Sequence, residues 1–279
     1  MNRSMIVAAN TMSQLQQKMD VISNNIANVQ TNGYKRREAS FTELLAQQFN
    51  NQPHDELEAG RNTPNGIRQG VGAGVAQSQM IMAQGNIITT GRELDVAFTT
   101  EGQYLTVLVP GENADAIQYT RDGSLYWSPL NDTQVMLVTS EGNPILDENE
   151  APIVVNGTPT EVSISPTGGI RVTTEWGQQA WNLGVIQLNR PQIMVQQGGN
   201  RIAVPDNLAE LGIELEEILT PIAGAFRENV AMQQGALEQS NVDLSMEMTD
   251  LIQAQRSYQF QSRAISLSDQ MMGLINGIR

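Results

Sequence analysis

Residues 5–29 read MIVAANTMSQLQQKMDVISNNIANV, and their apolar side chains recur at alternating intervals of three and four. This spacing, kept for about four heptads, is typical of a helix that packs along its length against another helix. A seam this narrow buries too little surface to stabilise an isolated helix. We therefore expect a helix over about residues 3–27 that needs a partner. Its seam positions are Met5, Ala8, Met12, Leu15, Met19, Ile22, Ile26 and Val29.

The last forty residues repeat this heptad pattern. One set of residues recurs every seven positions: Leu244, Leu251, Tyr258, Ile265 and Met272. A second set follows three or four positions later: Met248, Ala254, Ser262, Ser268 and Ile275. We expect a long helix that ends near Asn276 and pairs with the first helix as one stalk. The alternative is a pair of unrelated surface helices on a globular domain.

Between the two helices, the period changes to that of strands. Short runs rich in Val, Ile and Leu extend from Ile67 to about Val204, with turn signals about every 8–12 residues. This pattern predicts an antiparallel barrel or sandwich. The dipeptide Asp122-Gly123 predicts a hairpin turn. Upstream, Ser40 and Glu43 form a capping box that predicts a short helix ending near Phe49, and residues 50–66 read as a linker.

The predicted fold class is α+β, with paired coiled-coil-forming helices at the two ends and an all-β middle domain. The predicted domains are residues 1–66, an N-terminal helix with its linker; residues 67–220, the β-rich domain; and residues 221–279, a C-terminal helix that pairs with residues 1–30. At 279 residues, the chain is long enough for a sizeable core.

Charge and composition exclude several classes of function. Residues 1–50 have a net charge of +2 and residues 238–279 have a net charge of −2, so these two ends cancel. The residues between them therefore carry the whole net charge of −14. An acidic middle argues against nucleic-acid binding, which requires Lys and Arg. The chain has no cysteine and a single histidine, His54, in a polar run where it reads as inert. No apolar run is long enough to span a membrane, and no secretory signal is recognisable.

Other motifs give weak signals for cofactors or catalysis. Residues 70–75 are rich in glycine but lack the Lys-Ser/Thr of a phosphate loop, so a glycine-rich strand is the better interpretation. Asp147, Glu148 and Glu150 lack the spacing of a calcium loop and read as a solvated turn. The 30 acidic residues offer too many pairs to assign an acid and a base. We expect no metal, no cofactor and no enzymatic activity.

Four segments, in order along the chain, resemble the signatures of bacterial flagellar rod and hook proteins. They are residues 22–35 (ISNNIANVQTNGYK), 91–104 (GRELDVAFTTEGQY), 119–124 (YTRDGS) and 234–258, which begins QGALEQSNV and ends QRSY. The chain length is closest to that of the distal rod subunits or their proximal relatives. The region from Gln178 to Ile218 matches only loosely, which leaves the position within the rod open.

The resemblance implies an axial structural subunit of the basal body, outside the cytoplasmic membrane. Such subunits leave the cell unfolded through the flagellar export apparatus. They form a helical tube with paired terminal helices inside and β domains outside. The implied partners are copies of this chain and other rod and hook proteins. The distribution of methionine agrees, because eight of the 13 lie in residues 1–50 and 238–279, and Met repacks easily at interfaces.

The predicted assembly interface combines the two helical seams with the Asn-rich signature that ends the first helix. It comprises Met5, Met12, Leu15, Met19, Ile22, Asn24, Asn25, Ile26, Asn28, Leu244, Met248, Leu251, Tyr258, Ile265 and Met272. Two competing classes remain: a secreted wall-cleaving hydrolase, and a coiled-coil adhesin that forms a discrete oligomer with ordered termini.

Replacing Met12 or Leu251 by Asp tests the seams directly. Each change places a charge in an apolar seam, so we expect the β region to stay folded while polymerisation is lost. Circular dichroism and sedimentation of the purified variants, together with motility of cells that carry them, would measure both effects. Either variant assembling into functional rods would show that the seams do not drive assembly.

Overall fold

The structure is a computed structural model that describes residues 2–43, 47–49, 67–69, 73–111, 116–198, 200–205, 208 and 212–277. Contacts divide the chain into two units. The helical unit combines Met1–Ile26, Arg37–Gln79 and Leu244–Arg279. The β unit combines Ala27–Arg36 and Met80–Asp243. His54 and the predicted linker at 50–66 lie outside the described residues.

The helical unit contains both long helices, as the heptad patterns predict. These are α1 (Asn2–Ala27) and α3 (Leu244–Gly277). Both ends of α1 and the end of α3 lie within one residue of the limits expected from the sequence. The same unit contains four strands: β1 (Arg37–Glu43), β2 (Gln47–Phe49), β3 (Ile67–Gln69) and β4 (Ala73–Met80). β1 pairs with β4, and β2 pairs with β3 in antiparallel register.

The helix predicted from the capping box at Ser40 is wrong, because residues 37–43 form strand β1. A capping box satisfies only two backbone donors at the start of a helix. In the structure, the segment pairs with the eight-residue strand β4 instead. Tertiary pairing therefore outweighs the local signal, and the predicted extension to Phe49 is also replaced by strand β2.

The β unit contains the remaining strands and a one-turn helix, α2 (Leu215–Ile218). Two 3-10 turns, at Pro191–Ile193 and Gly224–Asn229, complete it. The strands are β5 (Ile87–Thr89), β6 (Val96–Phe98), β7 (Gln103–Val109), β8 (Ala116–Thr120), β9 (Leu125–Asn131), β10 (Gln134–Thr139), β11 (Val154–Asn156), β12 (Pro159–Ile164), β13 (Gly169–Thr174), β14 (Gly177–Asn182), β15 (Val185–Leu188), β16 (Val195–Gln197), β17 (Arg201–Ala203), β18 (Leu219–Pro221), β19 (Met232–Gln234) and β20 (Ala236–Glu238).

A six-stranded antiparallel sheet, in the order β16-β17-β8-β7-β15-β18, separates two apolar cores. Along β7, Tyr104 belongs to one core while Leu105 and Val107 belong to the other, because successive side chains of a strand face opposite ways. The larger core also receives the three-stranded sheets β11-β10-β9 and β12-β13-β14. Each sheet among the described strands has two open ends, so the predicted β-rich, antiparallel middle is confirmed but a closed barrel is not found.

The hairpin predicted at Asp122-Gly123 is also wrong. β8 pairs with β7 and β17, whereas β9 pairs with β10, so this dipeptide carries the chain from one sheet to another. Gly123 is required there by close approach: a Cβ would lie 1.7 Å from the carbonyl oxygen of Val96, whose N–H donates to the Gly123 oxygen. The sequence identifies Gly123 as a turn residue, but glycine is required there by a contact with Val96, 27 residues earlier. The Asp-Gly dipeptide alone does not predict that contact.

One buried carboxylate joins three distant parts of the β unit. Lys35 Nζ lies 2.6 Å from Glu238 Oε1, and Arg121 Nε lies 2.5 Å from Glu238 Oε2. We call these three residues the Glu238 cluster, and all three side chains are at most 2% exposed. The Gly85 N–H also donates to Glu238 Oε1 at 2.9 Å. Three of the four segments that carry the flagellar resemblance therefore meet at one carboxylate.

Backbone carbonyls satisfy the remaining donors of the cluster. Lys35 Nζ donates to the Ala83 oxygen at 2.9 Å, and Arg121 donates to the oxygens of Gln103 and Thr100 at 3.0 and 2.9 Å. Burial and the neighbouring Arg121 hold the pKa of Lys35 below its ordinary value. Burial alone would raise the pKa of Glu238, but Arg121 and Lys35 hold it below its ordinary value. The cluster therefore holds two basic side chains around one carboxylate, each in hydrogen-bond contact with it.

Gly33 completes the packing around the cluster. Its φ of +68° is in the left-handed region that favours glycine, and a Cβ would lie 2.5 Å from the backbone carbonyl of Arg121. Its N–H donates to the Glu238 carbonyl oxygen at 2.7 Å. The segment that follows α1 is thus fixed directly against the segment that precedes α3.

Replacing Gly123 by Ala should destabilise the β unit by about 1–3 kcal/mol or more, because the new methyl group overlaps the Val96 carbonyl. Gly198→Ala is the matched control, since a Cβ there meets nothing within 4 Å. Urea unfolding followed by tryptophan fluorescence reports on the β unit, which contains Trp127, Trp176 and Trp181. Equal midpoints for the two variants would contradict the close-approach argument.

The Glu238 cluster also predicts a pH dependence of stability. A carboxylate whose pKa is lower in the folded state contributes stability above its unfolded pKa of about 4.3, and this stability is lost as the pH falls through the folded value. Glu238→Gln leaves two buried cations without their anion, so we expect it to cost about 3–5 kcal/mol at pH 7. It should also lose less stability than the wild type between about pH 5 and pH 3.

The exposed Glu228 in the same unit provides the control, because Glu228→Gln changes the same charge without touching a buried cation. Urea midpoints measured at a series of pH values separate the three proteins. If Glu238→Gln and the wild type lost stability in parallel over this range, Glu238 would not be the titrating group.

Candidate assembly interface

The predicted seam of α1 forms a shielded stripe. Ala8 and Ile22 are buried, and Met5, Met12, Leu15, Met19, Ile26 and Val29 are partly buried. In the Asn-rich signature that follows, Asn24 is exposed, Asn25 is buried and Asn28 is partly buried. The side chains chosen from the heptad pattern therefore all lie on the protected side of this helix, while the asparagines divide among three environments.

The shielded stripe of α3 has the expected spacing but a partly different membership. Leu251, Tyr258, Ile265 and Met272 are partly buried, whereas Leu244 and Met248 are 47% and 46% exposed. The protected residues alternate at intervals of four and three: Glu247, Leu251, Ala254, Tyr258, Gln261, Ile265, Ser268 and Met272. Two polar residues, Glu247 and Gln261, thus occupy positions that the sequence analysis gave to Met248 and Ser262.

A buried asparagine connects the end of α1 with the first turn of α3. Asn25 Nδ2 donates to Glu247 Oε1 at 3.2 Å and to the Arg37 oxygen at 2.8 Å. Its Oδ1 accepts from the Arg37 N–H at 3.0 Å. Glu247 lies where a negative charge is favoured by the helix dipole. At this contact, the last turn of α1 meets the first turn of α3.

A second apolar seam on α3 faces outward. Phe260, Leu267, Met271 and Leu274 are exposed, with Phe260 at 67% and Leu274 at 71%. With Ala264, which is also exposed, these residues are separated by four, three, four and three positions. This is the same alternation that marks the shielded stripe, displaced to the neighbouring side of the helix. We call these five residues the outer seam; the sequence analysis did not single them out.

Among the described residues, no group of three His, Asp or Glu side chains is arranged to hold a metal ion. No helix in the same part of the chain is long and apolar enough to cross a membrane. The acidic segment is a turn, in which Asp147 Oδ1 accepts from the N–H groups of Asn149 and Ala151 at 2.8 and 2.9 Å.

Comparison with protein families gives two matches, and they fall on the two ends of the chain. Residues 5–35 match the flagella basal body rod protein family, and residues 233–278 match the C-terminal region of the flagellar basal body rod FlgEFG proteins. These ranges contain α1, α3, Lys35 and Glu238. The matches thus cover the helical seams and two members of the Glu238 cluster.

Relatives that match over most or all of the chain are also named as flagellar hook-basal body or rod proteins. The chain is 44% identical over 283 residues to the flagellar hook-basal body complex protein FlhP of Bacillus subtilis, covering 100% of both chains. It is 34% identical to the flagellar basal-body rod protein FlgG of Buchnera aphidicola, covering 91% of each. It is 33% identical to FlgG of Borreliella burgdorferi, covering 100% of this chain and 99% of the relative.

These identities extend through the β unit as well as the helices, so they concern the whole molecule and not a shared terminal motif. They agree with a site made of helical seams rather than of catalytic side chains. The chain belongs to the flagellar basal-body rod protein family, and it is a structural subunit of the basal body outside the cytoplasmic membrane, not an enzyme.

Proposed function

We propose that this subunit polymerises through α1 and α3 into the hollow axial shaft of the rod. Within one chain, α1 and α3 pair along their shielded stripes as a coiled coil. Between chains, the outer seam of α3 binds a helix of a neighbouring copy. The outer seam carries this proposal, because it is a helix-binding surface that the single chain leaves exposed.

Pairing within the chain is supported by the match between the two stripes. The shielded positions extend over residues 5–29 of α1 and 247–272 of α3, so the stripes are nearly equal in length. Both use alternating intervals of three and four, which place knobs from one helix into holes of the other. The Asn25–Glu247 hydrogen bond sets an antiparallel direction. A buried polar pair of this kind also favours one register, since a shift breaks this hydrogen bond.

Binding between chains is supported by the apolar surface of the outer seam. Large apolar residues exposed singly are common on proteins, but a contiguous row of them marks an interaction surface. The heptad spacing specifies that the partner is a helix lying along α3. A contact between the outer seam of one copy and a different surface of the next is head-to-tail, and such contacts produce filaments when the rotation does not close.

The position within the shaft is a finer proposal. A distal-rod-like position agrees with the length and with the relatives named FlgG. The alternative is a hook or proximal rod component, and identity to FlhP of Bacillus subtilis, 44%, exceeds identity to FlgG of the same organism, 29%. The other partners would be further rod and hook proteins, reached by export through the flagellar export apparatus. Locating the labelled subunit in isolated basal bodies distinguishes these positions.

Leu267→Asp tests the outer seam. The substitution places a carboxylate in the middle of the outer seam, where the side chain is exposed in the single chain and would be buried against a neighbour. We expect unchanged unfolding of the monomer and a loss of polymerisation, with the critical concentration raised at least about tenfold for each 1.4 kcal/mol lost. Sedimentation and electron microscopy of purified protein measure the effect.

Gln259→Asp is the matched control, since it adds the same charge at an exposed position of α3 outside both seams. It should polymerise as the wild type does. Polymerisation of Leu267→Asp at the wild-type critical concentration would remove the outer seam from the assembly contact. Equal failure of both variants would indicate that added negative charge, rather than the seam, prevents assembly.

A further inference from the structure

We propose that a groove formed by three turns of the β unit binds an uncharged oligosaccharide. The turn between β9 and β10, the turn between β11 and β12, and the turn between β13 and β14 enclose about 610 Å³. This is within the usual range for ligand sites, about 300–1,000 Å³. Trp176 lines the groove and is 64% exposed, the most exposed of the large aromatic side chains of this unit after Phe226.

The turn that carries Trp176 is hydrogen-bonded before any ligand arrives. The backbone N–H of Trp176 donates to Thr174 Oγ1 at 3.3 Å, and that hydroxyl donates to the Gly177 oxygen at 3.0 Å. Gly157, at φ +92°, lies against the ring, because a Cβ there would be 3.7 Å from Trp176 Cδ2. A ring supported in this way loses little conformational entropy on binding. Its apolar surface suits the C–H face of a pyranose ring.

A chain of side-chain amides runs beside the indole. Asn131 Nδ2 donates to Gln134 Oε1 at 3.4 Å, and Gln134 Nε2 donates to Asn156 Oδ1 at 2.8 Å. Gln179 continues the chain, donating to the Asn156 carbonyl oxygen at 2.8 Å and accepting from the Asn156 N–H at 3.2 Å. Each primary amide has two donors and an acceptor with two lone pairs, so capacity remains for hydroxyl groups.

The charges of the groove select among ligand classes. Its lining residues include two carboxylates, Asp132 and Glu175, and no Lys or Arg. Phosphates and other anions are therefore repelled. A cationic peptide has side chains for the carboxylates and a backbone for the amides, so it is the competing ligand class that the titration with octalysine distinguishes. A polyhydroxyl ligand uses both, because hydroxyls donate to carboxylates and exchange hydrogen bonds with amides.

Binding can be measured on the full-length protein. Tryptophan fluorescence and calorimetry would follow titrations with cellohexaose, chitohexaose and maltohexaose, with octalysine and inorganic phosphate as the other ligand classes. We expect saturable binding of at least one saccharide, at millimolar or lower concentration, and none of phosphate. Loss of the stacking surface in Trp176→Ala should weaken that binding by about tenfold.

Phe226→Ala is the matched control, because Phe226 is equally exposed in the same unit but does not line the groove. It should bind the saccharide as the wild type does, and thermal unfolding should confirm that both variants are folded. The proposal is overturned if no saccharide binds the wild type, or if Trp176→Ala binds as tightly as Phe226→Ala. Saturable binding of octalysine alone would assign the groove to a cationic peptide and would equally overturn it.

Discussion

The structure of the β unit depends on a single carboxylate shared by two cations. Glu238 accepts from Lys35 and Arg121 in a fully buried setting, so removing Glu238 leaves two basic side chains without their anion inside the protein. The three residues come from the segment after α1, from the strand region and from the segment before α3. Burying the cluster is therefore possible only when all three segments are in place. The segments through which the chain enters and leaves the β unit are therefore expected to become ordered together.

The sequence predicted the elements that depend on local periodicity. α1 and α3 were recognisable because a heptad repeat is carried by neighbouring positions, and most strands because their apolar residues are contiguous. The failures involve distant partners. Ser40 begins a local capping pattern, yet β4 recruits the segment as a strand. Gly123 has the sequence of a turn but is required by the carbonyl of Val96. Apolarity could not distinguish Met248 from Glu247, because α3 has apolar residues on more than one side.

The two sides of α3 carry different kinds of side chain. The shielded stripe includes small and polar residues, such as Ala254 and Gln261, which permit close approach and a defined register but give modest hydrophobic stabilisation. The outer seam carries the larger apolar side chains, Phe260 and Leu274 among them. In the proposed assembly, a helix built in this way gains its principal apolar burial from neighbouring chains. That distribution is the reverse of a self-sufficient globular domain, and it agrees with a family whose members function as parts of a larger structure.

The hydrogen bond between Asn25 and Glu247 joins residues that are 222 positions apart. The ribosome releases the first of these long before the second, so α1 has no partner for most of the time that the chain is being synthesised. Contacts of such large sequence separation also form slowly, because the loop between them must close first. The two helices can therefore meet only after the last residues of the chain have been synthesised. Until then, residues 1–30 are present without α3, which is the helix that carries the outer seam.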